Sequence, residues 1–95
     1  MKEEILEFIH RRFPNEDNWL TGNCYWFAYI LTARFYPYLQ IYVFPIQNHF
    51  VVKDPDGRFY DWSGEVFPKE TPLTHAEAYG YDIEWANRLK RDCID

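Results

Sequence analysis

The sequence predicts an α+β fold, in which helices and an antiparallel sheet occupy different stretches of the chain. Two helical patterns come first, three β-rich segments follow, and helical signals return near the end, an order typical of this class. The chain has 95 residues, of which 21% are aromatic. This length is near that of one typical domain, and the aromatic side chains can build its core, so we expect a single domain over residues 1–95.

Amphipathic segments near the two ends predict outer helices that cover the sheet. Residues 2–13 carry apolar side chains at helical spacing, and Pro14 ends that pattern. Residues 83–92 carry a similar pattern near the other end. Before them, residues 74–77 spell a capping box, and Gly80 is expected to separate this short turn from the last helix.

The segment from about Asn23 to Tyr36 predicts a central helix, which Pro37 ends. Its residues 24–31 are apolar on nearly every side. A helix without a polar face is typically buried on most of its surface. We therefore expect this helix to be buried and to pack on the sheet.

Three β-rich segments, residues 40–46, 49–53 and 58–62, predict a small antiparallel sheet of about three strands. They are rich in β-branched and aromatic residues, which fit a pleated, half-buried surface. From Gly64 to Pro72 the chain lacks such a pattern, and we expect it to be irregular.

The turn between the second and third β segments sets the register of their hairpin. Residues 54–57 read Asp-Pro-Asp-Gly, which is typical of a type I turn followed by a glycine bulge, so Asp54 is expected to oppose Arg58. Because side chains alternate along a strand, this register places His49 and Asp61 on one face as diagonal neighbours within side-chain reach. A two-residue loop would instead put Asp61 on the opposite face.

A His–Asp pair supplies the base and the orienting group of many nucleophilic sites, because the carboxylate fixes the imidazole tautomer and stabilises the imidazolium. Cys24 is the candidate nucleophile, since it lies in the first turn of the central helix, where the helix dipole favours a thiolate. Gly22 permits a sharp turn just before it, and the amide of Cys24 is a candidate donor to an oxyanion.

The middle of the chain resembles the papain-like and transglutaminase-like superfamily of cysteine hydrolases. The resemblance lies in GNCYWFA at residues 22–28, NHFVV at residues 48–52 and GRFYDWSG at residues 57–64. Members of the superfamily have a Cys at the start of the central helix, a His at the start of a core strand, and an Asp or Asn on the next strand.

The resemblance implies a minimal papain-like core and the hydrolysis, deamidation or transfer of an amide through a thioester. On that basis Cys24 is the nucleophile, His49 the general base and Asp61 the orienting residue. The side chain that completes an oxyanion hole stays open among Asn18, Asn23, Gln47 and Asn48.

Each of these three residues also has a structural interpretation. A free Cys is often buried, so Cys24 can be part of the core, His49 can be a half-exposed strand residue, and Asp61 can cap the turn after it. If these structural interpretations hold, the alternative is that the chain is a non-catalytic binding or inhibitor protein on the same scaffold, with an acidic surface. Its contact surface is expected around the aromatic residues Trp19, Trp26 and Trp62.

No metal or cofactor is expected. We predict that Cys93 is structural or incidental and that His10 and His75 lie on the surface. A zinc site lacks support because the sequence has no pair of Cys or His residues at ligand spacing, and glycine is too sparse for a phosphate loop.

The net charge of −5 argues against nucleic acid as a partner, because a phosphate backbone requires clustered Lys and Arg. The expected partner is a protein or a peptide substrate, and the oligomeric state stays open. The sequence has no apolar run long enough to cross a bilayer and does not begin with a leader-peptide pattern. We therefore expect no membrane partner and a cytoplasmic protein with two free thiols.

Overall fold

A computed structural model of the protein describes residues 1–13 and 24–94, without the side chains of residues 81, 89 and 92–94. Within that part of the chain, helices and strands are segregated along the sequence, which confirms the predicted α+β class. The helices are α1 (Lys2–Arg12), α2 (Cys24–Arg34), α3 (His75–Tyr81) and α4 (Ile83–Ile94). The strands are β1 (Gln40–Phe44), β2 (His49–Lys53), β3 (Phe59–Asp61), β4 (Gly64–Val66) and β5 (Leu73–Thr74).

The strands form one antiparallel sheet in the order β4-β3-β2-β1-β5. The sheet is larger than the predicted three strands, because the stretch expected to be irregular contributes β4 and ends next to β5. Strand β4 turns back onto β3 after Trp62 and Ser63, and Thr74 of β5 pairs with Tyr42 of β1. Strands of three and two residues are too short to show a period of two in the sequence.

The β2–β3 hairpin has the predicted register. Val52 opposes Tyr60 and Lys53 opposes Phe59, while the amide of Asp54 donates to the carbonyl of Arg58 at 2.9 Å. Gly57 has a φ of +89°, the left-handed conformation that a glycine bulge requires.

Asp54 also stabilises this turn with its side chain. Its Oδ1 accepts hydrogen bonds from the amides of Asp56 and Arg58 at 2.9 and 3.0 Å, and its Oδ2 accepts one from the hydroxyl of Tyr60 at 2.8 Å. Burial of the phenol, together with the Asp54 carboxylate, raises the pKa of Tyr60. The turn is therefore held by side-chain and backbone bonds within one short segment, which explains why its register could be predicted.

The two faces of the sheet differ in what covers them. The helix-covered face carries Val43, Phe50, Val52 and Tyr60, which pack in the main core with residues of α1, α2 and α3. The opposite face, called the pocket face because a pocket described below opens on it, carries a smaller cluster. None of the described helices takes part in this cluster. Its members are Phe44, Val51 and Phe59, with Tyr42 and Val66 packed beside them.

Helix α2 packs on β2 and also contacts β1 and β3, as expected of a central helix. It is less buried than predicted. Phe27, Ala28 and Leu31 are fully buried, but Trp26 is 41% and Tyr29 52% exposed. Apolar side chains all round a helix therefore did not mean burial all round, because the sheet and the other described helices cover one side only.

The ends of the remaining helices lie close to the predicted ones. Thr74 and Glu77 form the expected capping box at the start of α3. The amide of Glu77 donates to the hydroxyl oxygen of Thr74 at 3.0 Å, and the amide of Thr74 donates to the carboxylate of Glu77 at 2.8 Å. Gly80 lies inside α3 and not between the helices, and Asp82 caps the end of α3 in an extended conformation. None of the described helices combines the length and the apolar character needed to cross a membrane.

Candidate functional site

His49 and Asp61 are in contact, as the predicted register requires. His49 begins β2 and Asp61 ends β3 on the neighbouring strand. Nε2 of His49 lies 3.0 Å from Oδ2 of Asp61, and the two side chains are only 14% and 11% exposed. Since a carboxylate only accepts, Nε2 carries the hydrogen of this bond, and Nδ1 is the position that can exchange a proton with a substrate.

Ser63 holds the other oxygen of the carboxylate. Its amide donates to Oδ1 of Asp61 at 2.7 Å, and its hydroxyl donates to the same oxygen. Burial alone would raise the pKa of Asp61, but the hydrogen bonds from His49 and Ser63 outweigh it and hold that pKa below its ordinary value. Asp61 is therefore a carboxylate at neutral pH, and it also caps the turn after β3, as its structural interpretation predicted.

The pair lines a pocket of about 590 Å³ on the pocket face. Phe44 and Val66 form apolar walls beside His49 and Asp61. Two further apolar side chains, Ile46 and Phe67, also line the pocket and are 84% and 76% exposed. The polar pair is thus reached through a largely apolar opening.

Glu70 shapes one side of this pocket. Its two carboxylate oxygens accept hydrogen bonds from the amides of Ile46 and Gln47 at 2.8 and 3.1 Å. These bonds tie the β1–β2 turn to the segment between β4 and β5. Asn48, the last residue of that turn, has a φ of +54°, a left-handed conformation that Asn tolerates better than most residues.

Cys24 is the first residue of α2, where the sequence predicted it, but it is not a free thiol. It is disulfide-bonded, so the prediction of free thiols is wrong for this residue. That prediction was based on the expected compartment, and spatial pairing of cysteines does not follow from their spacing in the sequence. The side chain of Cys93 lies outside the described residues.

The structure does not bring Cys24 into the pocket. Its side chain is 3% exposed and belongs to the main core on the helix-covered face, whereas His49 points to the pocket face. The next residues along the chain, Tyr25 and Phe50, are in contact, with ring centroids 5.1 Å apart. Cys24 and His49 therefore lie at the same end of the sheet but on opposite faces.

The remaining candidates for an oxyanion donor are divided. Gln47 lines the pocket beside His49, whereas Asn48 forms the left-handed residue of the turn. Asn18 and Asn23 lie outside the described residues, as do Gly22 and Trp19.

Several residues of the site were not predicted. Ser63 carried a usable signal, since a Ser two residues after an Asp often donates to that carboxylate in a turn. Lys69 and Glu70 carried none, because they come from the segment expected to be irregular and reach the pocket only through the folding of β4 against β3.

His75 was expected on the surface, and that prediction is wrong. It is half-buried among the rings of Tyr25, Phe50 and Tyr79, whose centroids lie 5.9, 6.3 and 5.0 Å away. Its Nε2 is buried and has no hydrogen-bond partner among the residues that the structure describes. Burial, helped by the positive charge of Lys90, lowers the pKa of His75.

His10 is exposed on α1, as predicted. The described residues contain no group of three His, Cys, Asp or Glu side chains that could hold a metal ion.

A family model described as Phage YunG-like protein matches residues 5–91. No curated protein and no solved structure matches the chain. The family match spans most of both terminal helices and all of the sheet and of the pocket residues. The chain therefore belongs to the Phage YunG-like family.

Proposed function

We propose that this protein is a cysteine-dependent hydrolase or acyltransferase that acts on an amide through a thioester at Cys24, on a minimal papain-like core. His49 is the general base and Asp61 the residue that orients it. The observation that carries the proposal is the 3.0 Å hydrogen bond between His49 Nε2 and Asp61 Oδ2 in the wall of a pocket. Such a pair leaves one imidazole nitrogen to move a proton between nucleophile, leaving group and water.

The place of Cys24 at the start of α2 supports its role as nucleophile, although its disulfide-bonded side chain lies on the face opposite His49. It begins the helix that packs on β2, the strand that His49 begins. The next residues along the chain, Tyr25 and Phe50, are in contact, so Cys24 and His49 lie at the same end of the sheet. At the first turn of a helix, the dipole and the unbonded amides favour a thiolate.

Two steps precede catalysis on this proposal. A dithiol reductant first cleaves the disulfide of Cys24, giving two thiols while the reductant becomes a disulfide. The side chain of Cys24 must then pass round the end of the sheet from the main core to His49. Because Cys24 begins α2 and is buried in the main core, this movement requires at least the first turn of α2 to rearrange.

In the acylation step, the thiolate sulfur attacks the amide carbonyl, the carbon–nitrogen bond breaks, and His49 gives its proton to the departing amine. In the second step, His49 takes a proton from water or from an acceptor amine, which attacks the thioester and releases Cys24 as thiolate. Asp61 stays ionised throughout and stabilises the imidazolium.

Trapping of the acyl-enzyme tests this function. Protein treated with dithiothreitol and freed of it is mixed with p-nitrophenyl acetate, and the acetylated residue is located by mass spectrometry. We expect rapid acetylation of Cys24 in wild type, a rate at least about tenfold lower in His49→Ala, and no change in His10→Ala, the exposed control. Equal rates in the wild type and in His49→Ala would contradict the proposal.

One observation favours a second function, that of a non-catalytic binding protein. The exposed side of α2 carries Trp26 and Tyr29, with Ile30 beside them, and large aromatic residues are frequent at binding hot spots. Trp62, the other predicted contact residue in the described part, is half-buried and packs against the main core. If this function holds, a complex with an identified protein survives Cys24→Ala and is lost in Trp26→Ala.

A further inference from the structure

The charged side chains that line the pocket differ in whether they are already bonded within the protein. Two carboxylates line it, but each has both oxygens engaged within the protein. Asp61 is bonded to His49 and Ser63, and Glu70 accepts the amides of Ile46 and Gln47. Neither carboxylate has an oxygen without a bond to the protein, and a cationic ligand would compete with these bonds.

Lys69 is the only Lys or Arg among the described residues that line this pocket. It lines the opening next to Glu70, is exposed, and forms no ion pair with any residue that the structure describes. By contrast, Lys2, Arg11 and Arg58 each lie within 4.0 Å of a carboxylate. The lining contains two carboxylates and one lysine, and Lys69 is the one of these charged side chains without a bond to another described residue, so it is the group available to form an ion pair with a ligand.

The apolar part of the pocket sets a second condition on the ligand. Phe44 and Val66 are its walls, and the exposed side chains of Ile46 and Phe67 extend it towards solvent. A volume of about 590 Å³ is ample for a large aliphatic or aromatic side chain together with its backbone. Covering Ile46 and Phe67 would remove apolar surface from water and favour such a ligand.

We propose that this pocket recognises a peptide in which a large apolar side chain is followed by a carboxylate, the apolar group lying between Ile46 and Phe67 and the carboxylate pairing with Lys69. The carboxylate is either the side chain of an acidic residue or the C-terminus of the peptide. The peptide is a substrate only if the proposed function holds, and to that extent this proposal rests on it. The binding itself does not require Cys24.

Peptide binding to the oxidised protein tests the inference, because with the disulfide intact no thiolate can turn the peptides over. The ¹⁵N-labelled chain is titrated with acetyl-Phe-Glu-amide, acetyl-Phe-Gln-amide, acetyl-Phe-Lys-amide and acetyl-Phe with a free carboxylate. Amide shifts of residues 46–49 and 66–70 give the Kd values. We expect the Glu peptide to bind about three- to fivefold more tightly than the Gln peptide, the range of an exposed ion pair, and the Lys peptide most weakly.

The free C-terminal peptide distinguishes the two sources of the carboxylate. Tighter binding of this peptide than of the Glu peptide assigns the site to peptide C-termini, and the reverse order assigns it to acidic side chains. Acetyl-Gly-Glu-amide serves as the control for the apolar contact, and we expect it to cause no saturable shift at the same concentrations.

Charge reversal at Lys69 provides the matched variants. In Lys69→Glu the order is expected to invert, with the Lys peptide bound most tightly, and in Lys69→Gln the three amide peptides should bind alike. Arg88→Glu, at an exposed position of α4, should keep the wild-type order. The inference is overturned if the peptides bind wild type equally, or if Lys69→Glu keeps the wild-type order.

These outcomes are separate from those of the acyl-enzyme experiment. Selective binding of the acidic peptides without acetylation of Cys24 would leave the recognition site standing and remove the proposed chemistry. Acetylation of Cys24 that depends on His49, without selective binding of the acidic peptides, would support the proposed chemistry and remove the recognition site.

Discussion

The two faces of the sheet share the same strands but differ in their packing and in the polar groups that they carry. On the helix-covered face, residues such as Phe50 and Tyr60 are fully buried in a core to which α1, α2 and α3 all contribute. On the pocket face, three buried residues lie next to the hydrogen-bonded side chains of His49 and Asp61 and an open pocket. Close-packed apolar surface stabilises the fold, whereas a buried carboxylate such as Asp61 needs hydrogen-bond partners, which His49 and Ser63 supply. The comparison teaches that the His49 and Asp61 side chains and their pocket lie on the face that the described helices leave open.

The largest expected effect is a difference between the two faces in how much the loss of a buried ring lowers the free energy of unfolding. Phe27→Ala removes a fully buried ring from the main core and should lower the free energy of unfolding by about 3–5 kcal/mol. Phe44→Ala, on the pocket face, should cost less, about 2–3 kcal/mol, because the open wall can relax into the space left by the ring. Tyr29→Ala, on the exposed side of the same helix as Phe27, should change stability by less than about 0.5 kcal/mol.

Urea denaturation of the three variants measures these values. A cost at Phe44 equal to or larger than that at Phe27 would remove the distinction between a closed core and an open face.

The second effect concerns the hydrogen-bonded side chains of His49 and Asp61. Asp61→Asn removes the carboxylate that accepts from His49 and Ser63, and it should lower the free energy of unfolding by about 1–3 kcal/mol at pH 7. Because the pKa of Asp61 is lowered on folding, its contribution is fully present above its ordinary value of 3.8 and is lost as pH falls through the folded pKa. The difference between wild type and Asp61→Asn should therefore shrink below pH 3.8.

Denaturation curves at a series of pH values measure that difference, with Asp56→Asn, an exposed carboxylate of the hairpin turn, as the control. A difference that stays constant down to the lowest pH would show that the ionised carboxylate contributes nothing.

The smallest effect lies on the helix-covered face. Burial and Lys90 lower the pKa of His75, so the folded protein holds this imidazole neutral where the unfolded chain begins to bind a proton. Stability should fall as pH decreases below the ordinary value of 6.5, and the fall should continue to the folded pKa. His75→Gln should have a flatter profile over this range, while His10→Gln should keep the wild-type slope. An unchanged slope in His75→Gln would mean that another group causes the pH dependence.

The parts of the fold that could be predicted depend on local geometry. The turn at Asp54–Gly57 fixes the hairpin register through bonds within five residues, and that register leads directly to the His49–Asp61 contact. The capping box at Thr74 is likewise local, which is why the start of α3 was predicted correctly.

The parts that could not be predicted depend on tertiary packing. Which side of α2 is covered, and so whether Tyr29 is exposed, follows from what packs against the helix and not from its own sequence. The pairing of β4 with β3 brings Lys69 towards the pocket, and strands of three residues leave no pattern to detect. The face on which Cys24 lies, and its disulfide, are tertiary properties of the same kind.

The most direct measurement of the link between the two faces is the pH dependence of Cys24 alkylation by iodoacetamide. The protein is reduced first, and each cysteine is followed by mass spectrometry in wild type, His49→Ala and Asp61→Asn. The proposed function predicts that Cys24 reacts with a midpoint below pH ~8.5, the value of an ordinary thiol, and that the midpoint rises when His49 is removed. Cys24 that stays unreactive while Cys93 labels as an ordinary thiol, or a midpoint that is the same without His49, would contradict the thiolate–imidazolium pair.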